Sequence, residues 1–211
     1  LPQRPVTLIS QVVVDPEDLA FRHPTKPIGP FYDKAQAEAL ALKTGYTFRE
    51  DAGRGWRRVV PSPDPLEVVE LPQVAALLEA GFIPIAAGGG GIPVARDERG
   101  RLYGVDAVID KDLAACRLAD ALKAELLLIL TEVEQAYLDY GSPQQTGLSH
   151  VSSDELLACQ GQGHFASGSM GPKAEAAFRF VSGHPFRRAV ITSLDLALEG
   201  LEGRRGTQVT D

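Results

Sequence analysis

Ile83-Pro84-Ile85-Ala86-Ala87-Gly88-Gly89-Gly90-Gly91-Ile92-Pro93 is the stretch from which the rest of the chain is read. An apolar run that breaks into four glycines predicts a buried strand opening onto a loop whose backbone N–H groups approach an anion with no Cβ in the way. Glycine runs also serve as plain flexible turns, and this one matches neither the Walker loop nor the dinucleotide fingerprint. Two further signals favour the anion. Asp110-Lys111-Asp112 sets a lysine between two carboxylates downstream of the turn, and Gly168-Ser169-Met170-Gly171-Pro172-Lys173 puts a second lysine behind a second glycine turn. Phosphoryl transfer is mostly positioning and charge neutralisation, which is what such elements supply.

Outward from that turn, strand-like and helix-like segments alternate. Residues 6–14 are apolar and β-branched and predict one strand covered on both faces. Residues 16–61 form an excursion with a covering role. Residues 21–32 are too rich in proline and turn residues for a regular element, Asp33 caps a helix to Thr44 with Gly45 as its stop, and residues 46–49 and 56–60 predict an antiparallel ribbon. Residues 66–69 read as a short strand, and Leu71-Pro72 opens a helix with Val74, Leu77 and Leu78 on one face. Asp97-Glu98-Arg99-Gly100 has the composition of a hairpin tip, and residues 111–122 are helical. Residues 126–130 predict a fully buried strand. Ser152-Ser153-Asp154-Glu155 is a capping box, and residues 170–182 form a helix with Ala174, Ala177, Phe178 and Val181 inward. Lys173 in that helix's first turn opposes the helix dipole, which a nearby bound anion would explain. Residues 189–192 are the next strand, 194–199 a short helix and 207–209 a last edge strand. This alternation predicts an α/β fold with a mostly parallel sheet and helices on both faces.

With 211 residues, 44% of them hydrophobic and 23% charged, the chain is long enough to bury a sizeable core. Its net charge of −7 argues against nucleic acid as a partner. No apolar run approaches a membrane span, Leu1-Pro2-Gln3-Arg4 is not a signal peptide, and the cytoplasm is the expected compartment. Cys116 and Cys159 form neither a zinc pair nor a disulfide framework, and His23, His150, His164 and His184 have no metal-ligand spacing. The sequence has no asparagine and a single methionine, a composition that fits either a heat-adapted source or a GC-rich genome.

Five segments carry a resemblance when taken together: His23-Pro24-Thr25-Lys26-Pro27-Ile28-Gly29, residues 53–63 (Gly-Arg-Gly-Trp-Arg-Arg-Val-Val-Pro-Ser-Pro), residues 86–93, Val108-Ile109-Asp110-Lys111-Asp112, and residues 168–173. In this order and spacing they resemble carbamate kinase along the whole chain. The resemblance implies the amino-acid-kinase fold, a three-layer αβα sandwich with a mostly parallel sheet, a protruding lid over 16–61, a nucleotide-binding lobe over 111–211, and a homodimer. It implies reversible transfer between ATP and carbamate, giving carbamoyl phosphate and ADP, as in arginine metabolism. By the same resemblance, Lys111 and Lys173 neutralise the transferring phosphoryl group, Asp112 holds those lysines, and Lys26 reaches from the lid over the substrate. Gly88, Gly89, Gly90 and Gly91 present N–H donors to phosphoryl or carbamate oxygens. Thr131, Val133, Tyr137, Ser169 and Met170 hold the nucleotide, and Mg²⁺ arrives with ATP or ADP rather than in a dedicated protein cage.

The sequence departs from the family's pattern in two ways. Glu134 stands where the family usually has aspartate, and the family's N-terminal third, with its two glycine-asparagine loops, has no counterpart here. The expectation is therefore an N-terminally truncated chain that keeps nucleotide affinity but turns over poorly. Two alternatives accompany it: a catalytically silent nucleotide-binding or assembly module, and an amino-acid-kinase-fold enzyme acting on another acidic substrate.

Overall fold

A computed structural model describes residues 4–51, 53–166 and 168–211, so Leu1-Pro2-Gln3 of the opening tetrapeptide, Ala52 of the 16–61 excursion and Ser167, just before the second glycine turn, lie outside the described residues. By its internal contacts the chain divides into two units, one ending at Ala114 and one beginning at Ala115.

The first unit runs β1 (Pro5–Thr7), β2 (Gln11–Val13), β3 (Lys26–Tyr32), α1 (Lys34–Thr44), β4 (Phe48–Glu50), β5 (Trp56–Val60), β6 (Glu67–Val68), α2 (Leu71–Glu79), β7 (Ile83–Ile85), β8 (Ile92–Arg96), β9 (Leu102–Gly104) and the start of α3 (Lys111–Ala121). The strand expected over 6–14 is two strands in two sheets. β1 pairs in parallel with β7, whereas β2 lies between β6 and β8 in the order β6-β2-β8-β9. The break falls at Ser10, whose hydroxyl donates to the Leu8 carbonyl at 3.3 Å and accepts the Ala87 N–H at 2.9 Å. That hydroxyl fixes the chain where it leaves one pairing for the next. β7 is also not the buried strand expected: Ile83 and Ile85 are exposed, and β1 is its one sheet neighbour among the described residues. On α2, Val74 is buried but Leu78 faces out.

The excursion forms its own sheet in the order β3-β5-β4. Residues 26–32 are a strand there despite Pro27 and Pro30, which corrects the irregular segment expected. β3 is an edge strand with a register shift between Ile28 and Tyr32, and an edge with a bulge is where proline's missing N–H costs no ladder bond. α1 begins and ends as the sequence predicts. Asp33 accepts the Gln36 N–H at 2.8 Å, Gln36 returns the bond to the Asp33 N–H at 3.1 Å, and Gly45 closes the helix.

The second unit holds β10 (Leu126–Thr131), β11 (Ala136–Leu138), β12 (Thr146–Leu148), β13 (His150–Ser152), α4 (Ser153–Gly161), α5 (Met170–Val181), β14 (Arg188–Ser193), α6 (Ala197–Leu201) and β15 (Thr207–Thr210). Its main sheet has the order β10-β14-β15-β13. β14 is parallel to β10 and antiparallel to β15, which is itself parallel to β13. β15 is thus interior, not the edge strand expected, and Thr207, Gln208 and Val209 are buried accordingly. β10 is the edge, so Leu130 is partly exposed instead of buried on both faces. Ala189, Val190, Ile191 and Thr192 of β14 are all fully buried, as a strand covered on both faces must be. α6 covers the Val190/Thr192 face so closely that a Cβ at Gly200 would come within 3.0 Å of the Thr192 methyl. α5 also packs on β14, burying Ala174, Ala176, Ala177, Phe180 and Val181; Phe180, not Phe178, is its fully buried aromatic residue.

Among the described residues, six α-helices and parallel strand pairs in both units, with antiparallel pairs beside them, make the α/β architecture that the alternation of segments predicts. Among the described residues, no helix is long and apolar enough to cross a membrane.

Candidate active site

The glycine turn of the first unit is built from its neighbours inward. Gly90 donates its N–H to the Ala87 carbonyl at 2.6 Å, which closes the turn. Of the four glycines expected to offer donors to an anion, Gly90 is therefore already committed, leaving Gly88, Gly89 and Gly91 as candidates. Gly90 has φ +129, a conformation that side chains with a Cβ rarely adopt. A Cβ there would overlap the Ile109 carbonyl oxygen and stand 2.9 Å from its carbon. The turn thus lies against the residue that leads into Asp110-Lys111-Asp112.

Asp110 ends that connection and starts α3. Its Oδ1 accepts the N–H of Asp112 at 2.9 Å and of Leu113 at 3.3 Å, so it caps the helix. Its Oδ2 is ion-paired with the Lys26 ammonium at the start of β3. The Asp110 side chain is 6% exposed and that of Lys26 is 23% exposed. Burial pushes the Asp110 carboxyl up, but the Lys26 ammonium and the two N–H bonds outweigh it and hold the group below its ordinary value. Lys111 follows on the first turn of α3 with its side chain 57% exposed, 3.6 Å from a carboxylate oxygen of Asp112, which is 9% exposed. In one unit, then, Lys26, Lys111, two carboxylates and a bare backbone turn share one neighbourhood. The sequence reading places Asp110 beside Lys111 but assigns it no role of its own, although an aspartate immediately before a helix is a capping signal.

The remaining candidates belong to the second unit. Thr131 is the last residue of β10 and pairs with Ser193, the last of the parallel β14, so it lies at the carboxyl edge where α/β sheets take ligands. Val133 follows in the turn beyond β10. Glu134 and Ala136 are pinned by threonine hydroxyls, the Glu134 carbonyl accepting from Thr192 at 3.1 Å and the Ala136 N–H donating to Thr207 at 2.8 Å. Tyr137, in β11, is half-buried with its ring 5.9 Å from that of Tyr140. Ser169 caps α5 by position without a side-chain cap bond, Met170 is its first residue, and Lys173 is 6% exposed in its first turn. His164, to which the sequence assigns no role, is 3.1 Å from the Asp139 carboxylate and so ties the loop before α5 to the segment after Tyr137.

Among the described residues, no group of three histidine, cysteine, aspartate or glutamate side chains is placed to hold a metal. Asp110 is committed to an ammonium and two amides, and Asp112 lies beside Lys111.

Compared with known proteins, the sequence matches the amino acid kinase family over residues 32–193. It is 55% identical over 208 residues to the carbamate kinase of Thermococcus kodakarensis and 53% identical over 205 residues to that of Pyrococcus horikoshii, covering 98% and 97% of this chain and 65% of each relative. The chain thus spans less than two thirds of the length of these curated relatives. Among solved structures, a carbamate kinase from Giardia lamblia bound to citric acid superposes with a TM-score of 0.90 at 44% identity, over 98% of this chain and 65% of the other. The same organism's enzyme bound to AMP-PNP gives 0.84 at 45% identity, over 99% and 66%.

Proposed function

This chain belongs to the amino acid kinase family, and from that premise we propose that it carries the phosphoryl-transfer machinery of a carbamate kinase, ATP + carbamate ⇌ ADP + carbamoyl phosphate. The observation that carries the reading is the neighbourhood in the first unit, where Lys26 and Lys111, each beside an aspartate, accompany a glycine turn closed on itself. The likeness to carbamate kinases over nearly the whole chain supports the choice of substrate, and the AMP-PNP bound by the Giardia enzyme supports an adenine nucleotide.

In this reading, Lys111 neutralises the charge that spreads over the transferring group, Asp112 orients Lys111, Lys26 closes on the acceptor side from the lid of residues 16–61, and Lys173 contributes positive charge from the nucleotide lobe. The N–H groups of Gly88, Gly89 and Gly91 face the phosphoryl oxygens. Residues 111–211 form the nucleotide lobe, where Thr131, Val133, Tyr137, Ser169 and Met170 hold the base and ribose. Mg²⁺ arriving with the nucleotide would supply further charge neutralisation. The proposal extends to a cytoplasmic homodimer working in arginine metabolism.

The second reading is a silent nucleotide-binding module. Calorimetry with ADP and a coupled assay for ATP from carbamoyl phosphate plus ADP separate the two. ADP binding with turnover supports the kinase, and binding without turnover supports the silent module. Absence of ADP binding overturns both.

A further inference from the structure

We infer that Asp110 is a positioning residue whose two carboxylate oxygens join the excursion of residues 16–61 to the first turn of α3, one holding Lys26 and the other fixing the helix that carries Lys111 and Asp112. Three observations make the argument. The first is the division of labour on one side chain: Oδ1 takes the N–H groups of Asp112 and Leu113, while Oδ2 takes the Lys26 ammonium. The second is location. Lys26 is the first residue of the edge strand β3, opposite Val60 at the end of β5, so its side chain leaves the sheet at the excursion's root. The third is that the backbone repeats the attachment, with the Val108 N–H donating to the Pro61 carbonyl at 2.9 Å. The excursion is therefore attached by a backbone hydrogen bond at Pro61 and an ionic tether at Lys26, both to the segment against which Gly90 rests.

A lysine ammonium has three N–H donors, and one bond to Asp110 leaves two for an arriving anion. The tether thus presets the excursion's lysine beside the glycine turn before any ligand binds, so less of the binding energy goes into ordering it. The part of this inference that concerns substrate rests on the kinase reading; the tether does not.

The test uses Asp110→Asn, Lys26→Met and the double variant in the full chain. Asn keeps an oxygen for the helix cap and loses the charge, so the amides of Asp112 and Leu113 should stay protected from hydrogen exchange. Amides of β3 and β5 should exchange about tenfold faster or more in each single variant, with no further gain in the double variant. The emission of Trp56, the sole tryptophan and a β5 residue, should shift in the same variants. In turnover, Asp110→Asn should raise KM for carbamoyl phosphate about tenfold while changing kcat less, a split that a purely structural lesion would not produce. Unchanged exchange in β3 and β5, or additive effects in the double variant, overturns the inference. A wild-type chain with no turnover refutes the kinase reading instead, and the exchange comparison still decides the tether.

Discussion

Replacing Gly90 with alanine should damage this protein more than the same change one residue earlier. At Gly90 the backbone has φ +129, and the new methyl would overlap the Ile109 carbonyl. Holding a residue with a Cβ in that conformation costs on the order of 1–3 kcal/mol. Relieving the overlap by moving backbone costs about 1–3 kcal/mol more, because the obstacle is a carbonyl and cannot rotate aside as a side chain would. The sum of roughly 2–6 kcal/mol is a large share of the roughly 5–15 kcal/mol that separates folded from unfolded domains. At Gly89 a Cβ meets nothing within 4 Å and the backbone is not in the left-handed region, so Gly89→Ala should fall within about 0.5 kcal/mol of wild type. Urea unfolding followed by circular dichroism gives the comparison. With a slope of about 1–3 kcal/mol/M, Gly90→Ala should lower the midpoint by roughly 1 M or more. Hydrogen exchange should show loosening at residues 108–113, because the displaced Ile109 is followed by Asp110. Equal midpoints for the two variants would refute the claim that the turn is seated on Ile109.

Three further outcomes follow from single groups. Lys111→Ala should leave stability nearly unchanged, since the side chain is 57% exposed, yet lower kcat by about 10²–10³-fold if it neutralises transition-state charge, as read in the coupled ATP assay. Burial pushes the Cys116 thiol up to about 11, so at pH 8 it is protonated and should alkylate far more slowly than the half-buried Cys159 in a mass-spectrometric time course. Asp110 titrates below its ordinary value when folded, so its contribution to stability is present above the unfolded value of about 3.9 and is lost as pH falls through the folded one. The β3 amides should accordingly stay protected at pH 5 and lose protection only in stronger acid, after correction for the intrinsic exchange rate.

What could be read in the sequence depended on distance along the chain. The Asp33 cap and the Ser152/Glu155 capping box were legible because donor and acceptor lie within one turn of each other. The hairpin over Asp97–Gly100 was legible for the same reason, its tip held by Asp97 accepting the Arg99 and Arg101 N–H groups. Features set by distant partners were not. Ser10 splits an apolar run because its hydroxyl meets Ala87, and no local pattern announces that. Two prolines hid β3, since its being an edge strand depends on where β5 returns. The hydrophobic pattern of α5 singled out Phe178, whereas the helix turns Phe180 fully inward against its neighbours. The candidate lysines and glycines were found as residue types. The bond between Lys26 and Asp110, 84 positions apart, is visible only once the chain is folded.

That bond also predicts an asymmetry between its two partners. Asp110 is almost wholly buried, so removing Lys26 strands a carboxylate with two amide bonds and no counter-charge, a change that costs about 3–5 kcal/mol when a buried pair is broken. Lys26 is 23% exposed on a long stem, so when Asp110 becomes asparagine its ammonium can swing toward water while the amide oxygen still caps α3. Asp110→Asn should therefore cost less, about 1–3 kcal/mol. The double variant Lys26→Met/Asp110→Asn should be more stable than Lys26→Met alone, because the charge left stranded by the first change is removed by the second. Thermal unfolding of the four proteins closes this cycle. If Lys26→Met is the milder single change, or if the second substitution brings no recovery, then Asp110 does not depend on Lys26 for its charge and the ion pair is incidental to the fold.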